Sequence, residues 1–262
     1  MFLLDFFKKK DFKKVLSLDG GGVRALAAVI FLKQLEKETG RSVFDTFDFF
    51  MGVSAGGLNA LHFTINKTSA EKLEDFWTND NLAMSMQKSF WGQAIFLNSK
   101  PKYNNESRTA LLRDYFENKL IAHSDKPVSV LAYDVEKRKP RLISSYDDSN
   151  ISVISAINAT SAAPLYYPTV KIEDGSWLID GGVVANNPSL IGYNEARNYF
   201  KTSNIKVFSI GTGINSKGLD GKSSAEWGPI GWLRNDILGI LSETQYDHET
   251  CLLYTSPSPR DA

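Results

Sequence analysis

Residues 49–57, Phe-Phe-Met-Gly-Val-Ser-Ala-Gly-Gly, decide the fold that this sequence predicts. A short apolar run, typical of a buried strand, ends in Gly-x-Ser-x-Gly, and the small residues that follow can begin a helix. A strand, a sharp turn and a helix in this order form a nucleophile elbow, with the serine at the apex of the turn. Glycines at positions 52 and 56 leave room for the crowded backbone around Ser54. The pattern is short enough to arise by chance, so its context decides its weight.

A glycine-rich turn precedes the elbow. Residues 15–18, Val-Leu-Ser-Leu, predict a buried strand, and residues 19–24 read Asp-Gly-Gly-Gly-Val-Arg. A helical pattern runs from Val23 to Thr39, with Gly40 as its stop. Three successive glycines expose backbone N–H groups where a helix begins, and such groups favour negative charge. They can bind an oxyanion, where one donor is typically worth roughly 3 to 4 kcal/mol. They can equally serve a tight strand–helix turn, and both interpretations stay open here.

A third segment, residues 177–182, reads Trp-Leu-Ile-Asp-Gly-Gly. Asp180 ends an apolar run that predicts a strand, and an aspartate at the carboxyl end of a strand in an α/β sheet faces the crevice where ligands bind. Downstream, Pro188 suits the first position of a helix and Asn187 its cap. Asp-Gly-Gly is also typical of a plain turn, so this segment alone leaves the role of Asp180 undecided.

Together, and in this order, the three segments resemble the motifs of the patatin-like phospholipase family. The resemblance also includes residues 159–164, Ala-Thr-Ser-Ala-Ala-Pro, and Asn187-Pro188, and it extends from about residue 13 to about residue 215. Each motif is weak alone, whereas their joint occurrence is highly specific. The resemblance implies a hydrolase that cleaves fatty-acyl esters of lipids, a phospholipase A-type activity that passes through an acyl-serine.

The resemblance also implies roles for individual residues. Ser54 would be the nucleophile and Asp180 the base of a serine–aspartate dyad. Arg24 would hold the glycine loop or the anion. The residues that it assigns to the oxyanion hole, through their backbone amides, are Gly20, Gly21 and Gly22.

The histidines bear on this dyad independently, because a serine hydroxyl needs a base to become a nucleophile. His62 lies eight residues past Ser54 on the same predicted helix, about 12 Å along its axis and too far to take the proton. His123 lies in a polar stretch typical of a loop. His248 alone follows Asp180, as the order of an α/β-hydrolase triad requires, but its charged helical surroundings predict a solvated side chain. A direct serine–aspartate pair is therefore the simpler hypothesis.

Length and composition predict one α/β domain, with or without a small subdomain or lid. The chain has 262 residues, of which 42% are hydrophobic, enough for a sizeable core. Predicted strands alternate with predicted helices, which indicates a three-layer α/β/α sandwich with a mostly parallel central sheet. Thirty basic and thirty acidic residues cancel, so the net charge predicts neither nucleic acid nor an anionic membrane as a partner. We expect no cofactor and no metal, because the matched motifs supply no ligand cluster and no acidic calcium loop.

The ends of the chain differ from its middle. Residues 1–12 form an amino-terminal lead-in, apolar at first and then basic, which is either a short interfacial anchor or a segment that packs on the domain. It is too short to span a membrane, and its basic residues follow the apolar ones, unlike a signal peptide. We therefore expect a cytoplasmic or peripheral membrane protein. Its expected partner is a lipid or phospholipid at a membrane or micelle surface, while the sequence leaves the oligomeric state open.

The last twelve residues, 251–262, resemble a translated sequencing-adapter read-through. We interpret them as a non-native tail, which implies that residues 13–250 are a domain truncated at its carboxyl end. The alternative is a native tail rich in proline and serine. Cys251 is the single cysteine of the chain, so no disulfide can form within it.

Residues 79–105 predict an irregular stretch with many apolar side chains. They can form an apolar lid over an acyl site, or a helix that buries the same side chains in the core. Residues 68–71 predict a capping box that opens a helix to about Trp77. The remaining predicted strands are 47–53, 127–135, 141–145 and 205–210, and the remaining predicted helices are 54–65, 107–120, 151–161 and 188–200.

Two other functions fit parts of the sequence. Residues 20–25 match a dinucleotide-binding pattern if alanine takes the third glycine position. Against that alternative, Asp19 would place a negative charge beside the pyrophosphate, and no acidic residue ends a strand about 20 residues further on. The second alternative is a catalytically silent lipid-binding protein with the same fold. Intact Ser54 and Asp180 argue against it, although a missing carboxyl end would be compatible with it.

Overall fold

The computed structural model describes residues 12–88, 100–213, 218–235, 237 and 239–244. The chain divides into two units, Met1–Thr212 and Gly213–Ala262. Most of the predicted lead-in, the predicted tail, His248 and residues 89–99 of the predicted lid lie outside the described residues.

Within the described part of the first unit, seven strands form one mixed sheet. β7, β1, β2 and β3 lie side by side in that order and pair in parallel, whereas β4 and β6 pair antiparallel with β3, and β5 pairs antiparallel with β6. The predicted α/β class with a mostly parallel sheet is confirmed. The strands are β1 Lys13–Leu18, β2 Phe49–Val53, β3 Val128–Asp134, β4 Lys139–Ser144, β5 Val170–Lys171, β6 Trp177–Asp180 and β7 Ile205–Ile210.

Eight α-helices accompany the described strands of this unit. They are α1 Leu26–Thr39, α2 Val43–Thr46, α3 Ala55–Ile65, α4 Ala70–Glu74, α5 Asn79–Ser85, α6 Glu106–Phe116, α7 Val153–Thr160 and α8 Ser189–Phe200. Short 3₁₀ turns precede α1 at Gly22–Ala25, extend α4 at Asp75–Trp77, and lie at Ile121–His123 and Gly181–Val183. The second unit contains α9 Gly221–Ser224 and α10 Pro229–Arg234. None of the helices described here is long and apolar enough to cross a bilayer.

Two helical predictions need correction. The first part of the predicted irregular stretch is helix α5, which buries none of its side chains and leaves Met84 exposed. It forms because the Thr78 side chain caps its first turn by accepting a hydrogen bond from the Asn81 amide. The cap of α4 is Ser69, whose hydroxyl oxygen accepts from the Lys72 amide, one residue later than the predicted capping box places it.

The central strands are buried on both faces, because successive side chains of a strand point to opposite sides of the sheet. On one face Leu16 and Phe50 pack in a core with residues of α1, α3 and α7. On the other face Val15 and Met51 pack with Ala196 of α8. These two apolar layers hold the helices on both sides of the sheet, as the three-layer prediction requires.

The register of β3 brings the ends of two other strands together. β4 pairs along Ser129–Asp134 on one edge of β3, so β2 and β6 must share the other edge in succession. The last residue of β2, Val53, lies opposite Leu131, and Asp180 at the end of β6 lies opposite Ala132. Because β2 and β6 run toward each other, the residue after β2, Ser54, meets the residue that ends β6.

Candidate active site

Ser54 lies in a strained turn between β2 and α3. Its backbone has φ 54° and ψ −128°, a conformation that non-glycine residues rarely adopt. The turn is possible because its neighbours are glycines. A Cβ at Gly52 would lie 2.6 Å from the Gly56 carbonyl oxygen, and one at Gly56 would lie 2.3 Å from the Leu18 carbonyl oxygen. The predicted elbow geometry is therefore present, with Ser54 half-buried at its apex.

The Ser54 hydroxyl and the Asp180 carboxylate are in direct contact. Ser54 Oγ donates a hydrogen bond to Asp180 Oδ2 at 2.8 Å, and the Gly182 amide donates to Asp180 Oδ1 at 2.7 Å. Burial raises the pKa of Asp180 from 3.8 to about 6, against the lowering effects of the Gly182 and Ser54 hydrogen bonds and of the Arg108 charge. A buried carboxylate thus lies within proton-transfer reach of a serine hydroxyl.

The segment at the end of α7 contacts both members of this pair. Thr160 Oγ1 accepts a hydrogen bond from the Ser54 amide at 3.0 Å and donates one to the Leu131 carbonyl oxygen. Two residues later, the Ala162 carbonyl oxygen accepts from the Asp180 amide at 3.0 Å. Thr160 and Ala162 belong to the motif at residues 159–164, so the sequence indicated the segment without indicating these contacts.

The glycine loop lies against Ser54. A Cβ at Gly20 would be 3.3 Å from the Cβ of Ser54 and 2.4 Å from Asn186 Oδ1. The Gly20 amide donates to the Asn186 carbonyl oxygen at 3.0 Å, and the Gly20 carbonyl oxygen accepts from Thr212 Oγ1 at 2.7 Å. Gly20 therefore fixes the loop beside the serine, with its own N–H group already engaged.

The next two amides differ from that of Gly20. Among the described residues, the N–H groups of Gly21 and Gly22 have no hydrogen-bond acceptor. Gly22 has a φ of 55°, with open space where its side chain would be. Arg24 is exposed, and its amide donates to the Gly21 carbonyl oxygen at 3.1 Å. The loop thus presents two N–H groups that can still donate, next to an exposed cation.

Neither of the two described histidines is hydrogen-bonded to this pair. His62 is buried against the rings of Phe76 and Phe116, with centroids 5.1 and 4.5 Å away, and burial together with the Lys119 charge lowers its pKa to about 3. His123 accepts the Leu120 amide hydrogen on Nδ1 at 3.2 Å. Each is therefore engaged in packing or in a local turn.

Arg108 is a residue near the site that the sequence did not indicate. It lies on α6, is 6% exposed, and donates to Asn158 and Ser161 around the end of α7. A single arginine on a polar helix is normally predicted to be solvated, so no sequence pattern indicated that Arg108 is buried near the site. In the described part of the chain, no group of three or more histidine, cysteine or acidic side chains could hold a metal ion.

The chain is similar to known proteins over most of its length. The patatin-like phospholipase family matches residues 16–191. Patatin-like protein 2 of Arabidopsis thaliana is 30% identical, over 89% of this chain and 69% of its own length. Patatin-like protein 4 of the same plant is 28% identical, over 94% and 74%. A cGAMP-activated phospholipase of Vibrio cholerae is 27% identical, over 93% and 78%.

The family match covers more than half of the chain, including Ser54 and Asp180. The chain therefore belongs to the patatin-like phospholipase family, as its motifs predicted. It is an enzyme of the lipid hydrolase class.

Proposed function

We propose that this chain is a lipid acyl hydrolase that cleaves fatty-acyl esters with Ser54 as nucleophile and Asp180 as general base. The observation that carries the proposal is the 2.8 Å hydrogen bond from Ser54 Oγ to Asp180 Oδ2. A serine becomes a nucleophile when a base takes its proton, and Asp180 is the group in contact with this hydroxyl. Neither His62 nor His123 is hydrogen-bonded to the pair, and His248, the histidine of the triad alternative, is tested by substitution.

The proposed reaction has two halves. In the first, Asp180 takes the Ser54 proton while Oγ attacks the ester carbonyl, and the amides of Gly21 and Gly22 donate to the resulting oxyanion. The tetrahedral intermediate collapses, the alcohol leaves with the proton from Asp180, and an acyl-serine remains. In the second half, Asp180 takes a proton from the water that attacks the acyl-serine. As the second tetrahedral intermediate collapses, Asp180 returns this proton to Oγ, which releases the fatty acid and restores the free Ser54 hydroxyl and the ionised base.

The environment of Asp180 suits a base. A carboxylate of ordinary pKa is a weak base at neutral pH, and burial brings its pKa to about 6. At pH 7 most Asp180 side chains are still ionised and can accept a proton. The Gly182 hydrogen bond to Oδ1 leaves Oδ2 directed at Ser54.

The proposed substrate is a lipid or phospholipid presented at a membrane or micelle surface. Three large apolar side chains that directly follow site motifs in the sequence are exposed: Val23 after the glycine loop, Val183 after the Asp180 segment and Leu165 after the motif at residues 159–164. Exposed apolar side chains around a site favour contact with an aggregated lipid. The phospholipase name of the Vibrio cholerae relative supports a phospholipid among the candidates, and a zero net charge gives no reason to propose nucleic acid.

The proposal is tested with three variants, a long-chain nitrophenyl ester and a fluorophosphonate probe that labels activated serines. Ser54→Ala removes the nucleophile and should abolish both hydrolysis and labelling. Asp180→Asn keeps the shape but cannot accept the proton, so hydrolysis should fall by about 10³-fold or more. His123→Ala is the matched control, away from the pair, and should retain activity.

Two outcomes would contradict this assignment. Complete loss of hydrolysis in a folded His248→Ala variant would favour a three-residue triad. Saturable binding of NAD by a wild-type protein that the probe does not label would favour the dinucleotide-binding alternative. Analysis of the products released from phospholipid, galactolipid and neutral lipid vesicles then identifies the substrate class.

A further inference from the structure

The Arg108 guanidinium is buried, and each of its five N–H donors has an acceptor. Nε donates to Asn158 Oδ1 at 2.9 Å, and Nη1 donates to the carbonyl oxygen and to Oγ of Ser161, both at 3.2 Å. Nη2 donates to Asn105 Oδ1 at 2.9 Å and to the Asn158 carbonyl oxygen at 3.4 Å. Its Cζ lies 4.0 Å from the ring centroid of Tyr167. With all donors engaged, this arginine is not free to bind a substrate phosphate or carboxylate.

The acceptors of Arg108 alternate with the residues that hold the dyad. Asn158 and Ser161, which Arg108 binds, flank Thr160, whose hydroxyl oxygen accepts from the Ser54 amide. The residue after Ser161 is Ala162, which accepts from the Asp180 amide. Fixing the end of α7 therefore fixes the backbone of Ser54 and of Asp180 together.

The charge of Arg108 has a specific environment. Carbonyl oxygens at the end of a helix carry partial negative charge, and Arg108 binds two of them. No described carboxylate forms an ion pair with it. The groups that act on the Asp180 carboxylate are the Gly182 amide, the Ser54 hydroxyl and the Arg108 charge, and the titratable neighbour of Arg108 is Tyr167, whose pKa burial raises.

We propose that Arg108 is a positioning residue of the reaction, with two separable effects. Its hydrogen bonds hold the end of α7 that orients Ser54 and Asp180. Its positive charge is buried and binds Ser161, the residue before Ala162, whose carbonyl oxygen accepts from the Asp180 amide. This charge favours the ionised form of Asp180. This inference rests on the proposed function of the dyad.

Two substitutions separate these effects. Arg108→Gln removes the charge, so the acid limb of the kcat/KM profile should move from near pH 6 to higher pH, by on the order of one pH unit. Its kcat should fall by about 10- to 100-fold, with KM little changed. Arg108→Lys keeps the charge and loses most of the hydrogen bonds, so kcat should fall by about tenfold while the acid limb stays in place. Arg113→Gln, an exposed arginine on the same helix, is the matched control and should match the wild type.

The pH profile decides the outcome, because a merely structural role would lower activity without moving the acid limb. An unchanged limb in folded Arg108→Gln overturns the charge effect. If Arg108→Gln does not fold, a shift of the acid limb in Arg108→Lys overturns the charge effect. An unchanged kcat in Arg108→Lys overturns the positioning effect. Fluorophosphonate labelling of wild-type Ser54 is read in parallel. Its absence would refute the proposed function itself, whereas labelling with a negative Arg108 result refutes only this inference.

Discussion

The Asp180 carboxylate lies where ionisation is unfavourable and proton transfer is easy. Its side chain is buried, so the charged form has lost water and has regained two hydrogen bonds, from Gly182 and Ser54. These contacts offset part of the desolvation, and the pKa still rises to about 6. The residue that we propose as the base is therefore also one that weakens the fold when it is ionised.

This conflict predicts a pH-dependent gain in stability for Asp180→Asn. Because the folded-state pKa lies above the ordinary 3.8, the contribution of Asp180 to stability is fully present below pH 3.8 and is lost as the pH rises through 6. At pH 8 the variant should be more stable than the wild type, by on the order of 1 to 3 kcal/mol. Toward pH 4 the difference should disappear. Urea unfolding at the two pH values measures it.

Asp134→Asn is the control, because the contribution of Asp134 to stability changes with pH in the opposite direction to that of Asp180. Hydrogen bonds from the Lys137 amide and side chain and from the Glu136 amide hold the pKa of Asp134 below its ordinary value. Its contribution is present above the ordinary pKa and is lost as the pH falls, so this variant should be less stable than the wild type at pH 8. Equal destabilisation by both variants at pH 8 would contradict the account of Asp180.

At the scale of elements, the contact between β1 and α3 at Gly56 predicts the cost of a single methyl group. A Cβ at Gly56 would lie 2.3 and 2.5 Å from the carbonyl oxygens of Leu18 and Asp19, so Gly56→Ala must separate the strand from the helix. We expect a loss of about 3 kcal/mol or more together with loss of probe labelling. Urea unfolding and labelling of Ser54 measure the two effects.

Gly40→Ala gives the comparison for this prediction. Gly40 ends α1 with a φ of 65° and has open space where a Cβ would be. The alanine should cost about 1 kcal/mol through backbone strain alone and leave labelling intact. If Gly56→Ala behaved like Gly40→Ala, the close packing of the elbow against β1 would not require a glycine at position 56.

The elements also show which features the sequence could predict. β7 has its predicted bounds, 205–210, because a run of alternating apolar residues between turn signals is a local property. Ser54 and Asp180 were identified because each lies at the end of a strand within a motif. The antiparallel pairing of β6 with β3 was not predicted, since the register between residues 44 to 48 positions apart depends on packing that no local pattern encodes. Arg108 was missed for the same reason, because four of its five acceptors belong to Asn158 and Ser161, 50 and 53 residues further along the chain.

At the scale of the whole molecule, one sheet carries two unequal cores. Helices α1, α3 and α7 cover one face, and α8 covers the other together with residues near Ala185. The strands between these layers, β1, β2 and β3, are buried almost throughout, whereas the short edge strand β5 is half exposed. The proposed catalytic serine follows one of these buried strands, so its strained backbone is supported by the most protected part of the described sheet.

This arrangement predicts a gradient of amide hydrogen exchange across the sheet. Amides of central strands that are buried on both faces open mainly when the domain unfolds, whereas edge strands open locally. We expect the amides of Leu16, Phe50 and Val130 to exchange with the free energy of global unfolding, and those of Val170 and Lys171 to exchange much faster. Exchange followed by mass spectrometry on peptides from β1, β2 and β5 measures the difference. Equal protection of β2 and β5 would contradict it, because the elbow at Ser54 would then rest on a strand no more stable than the edge.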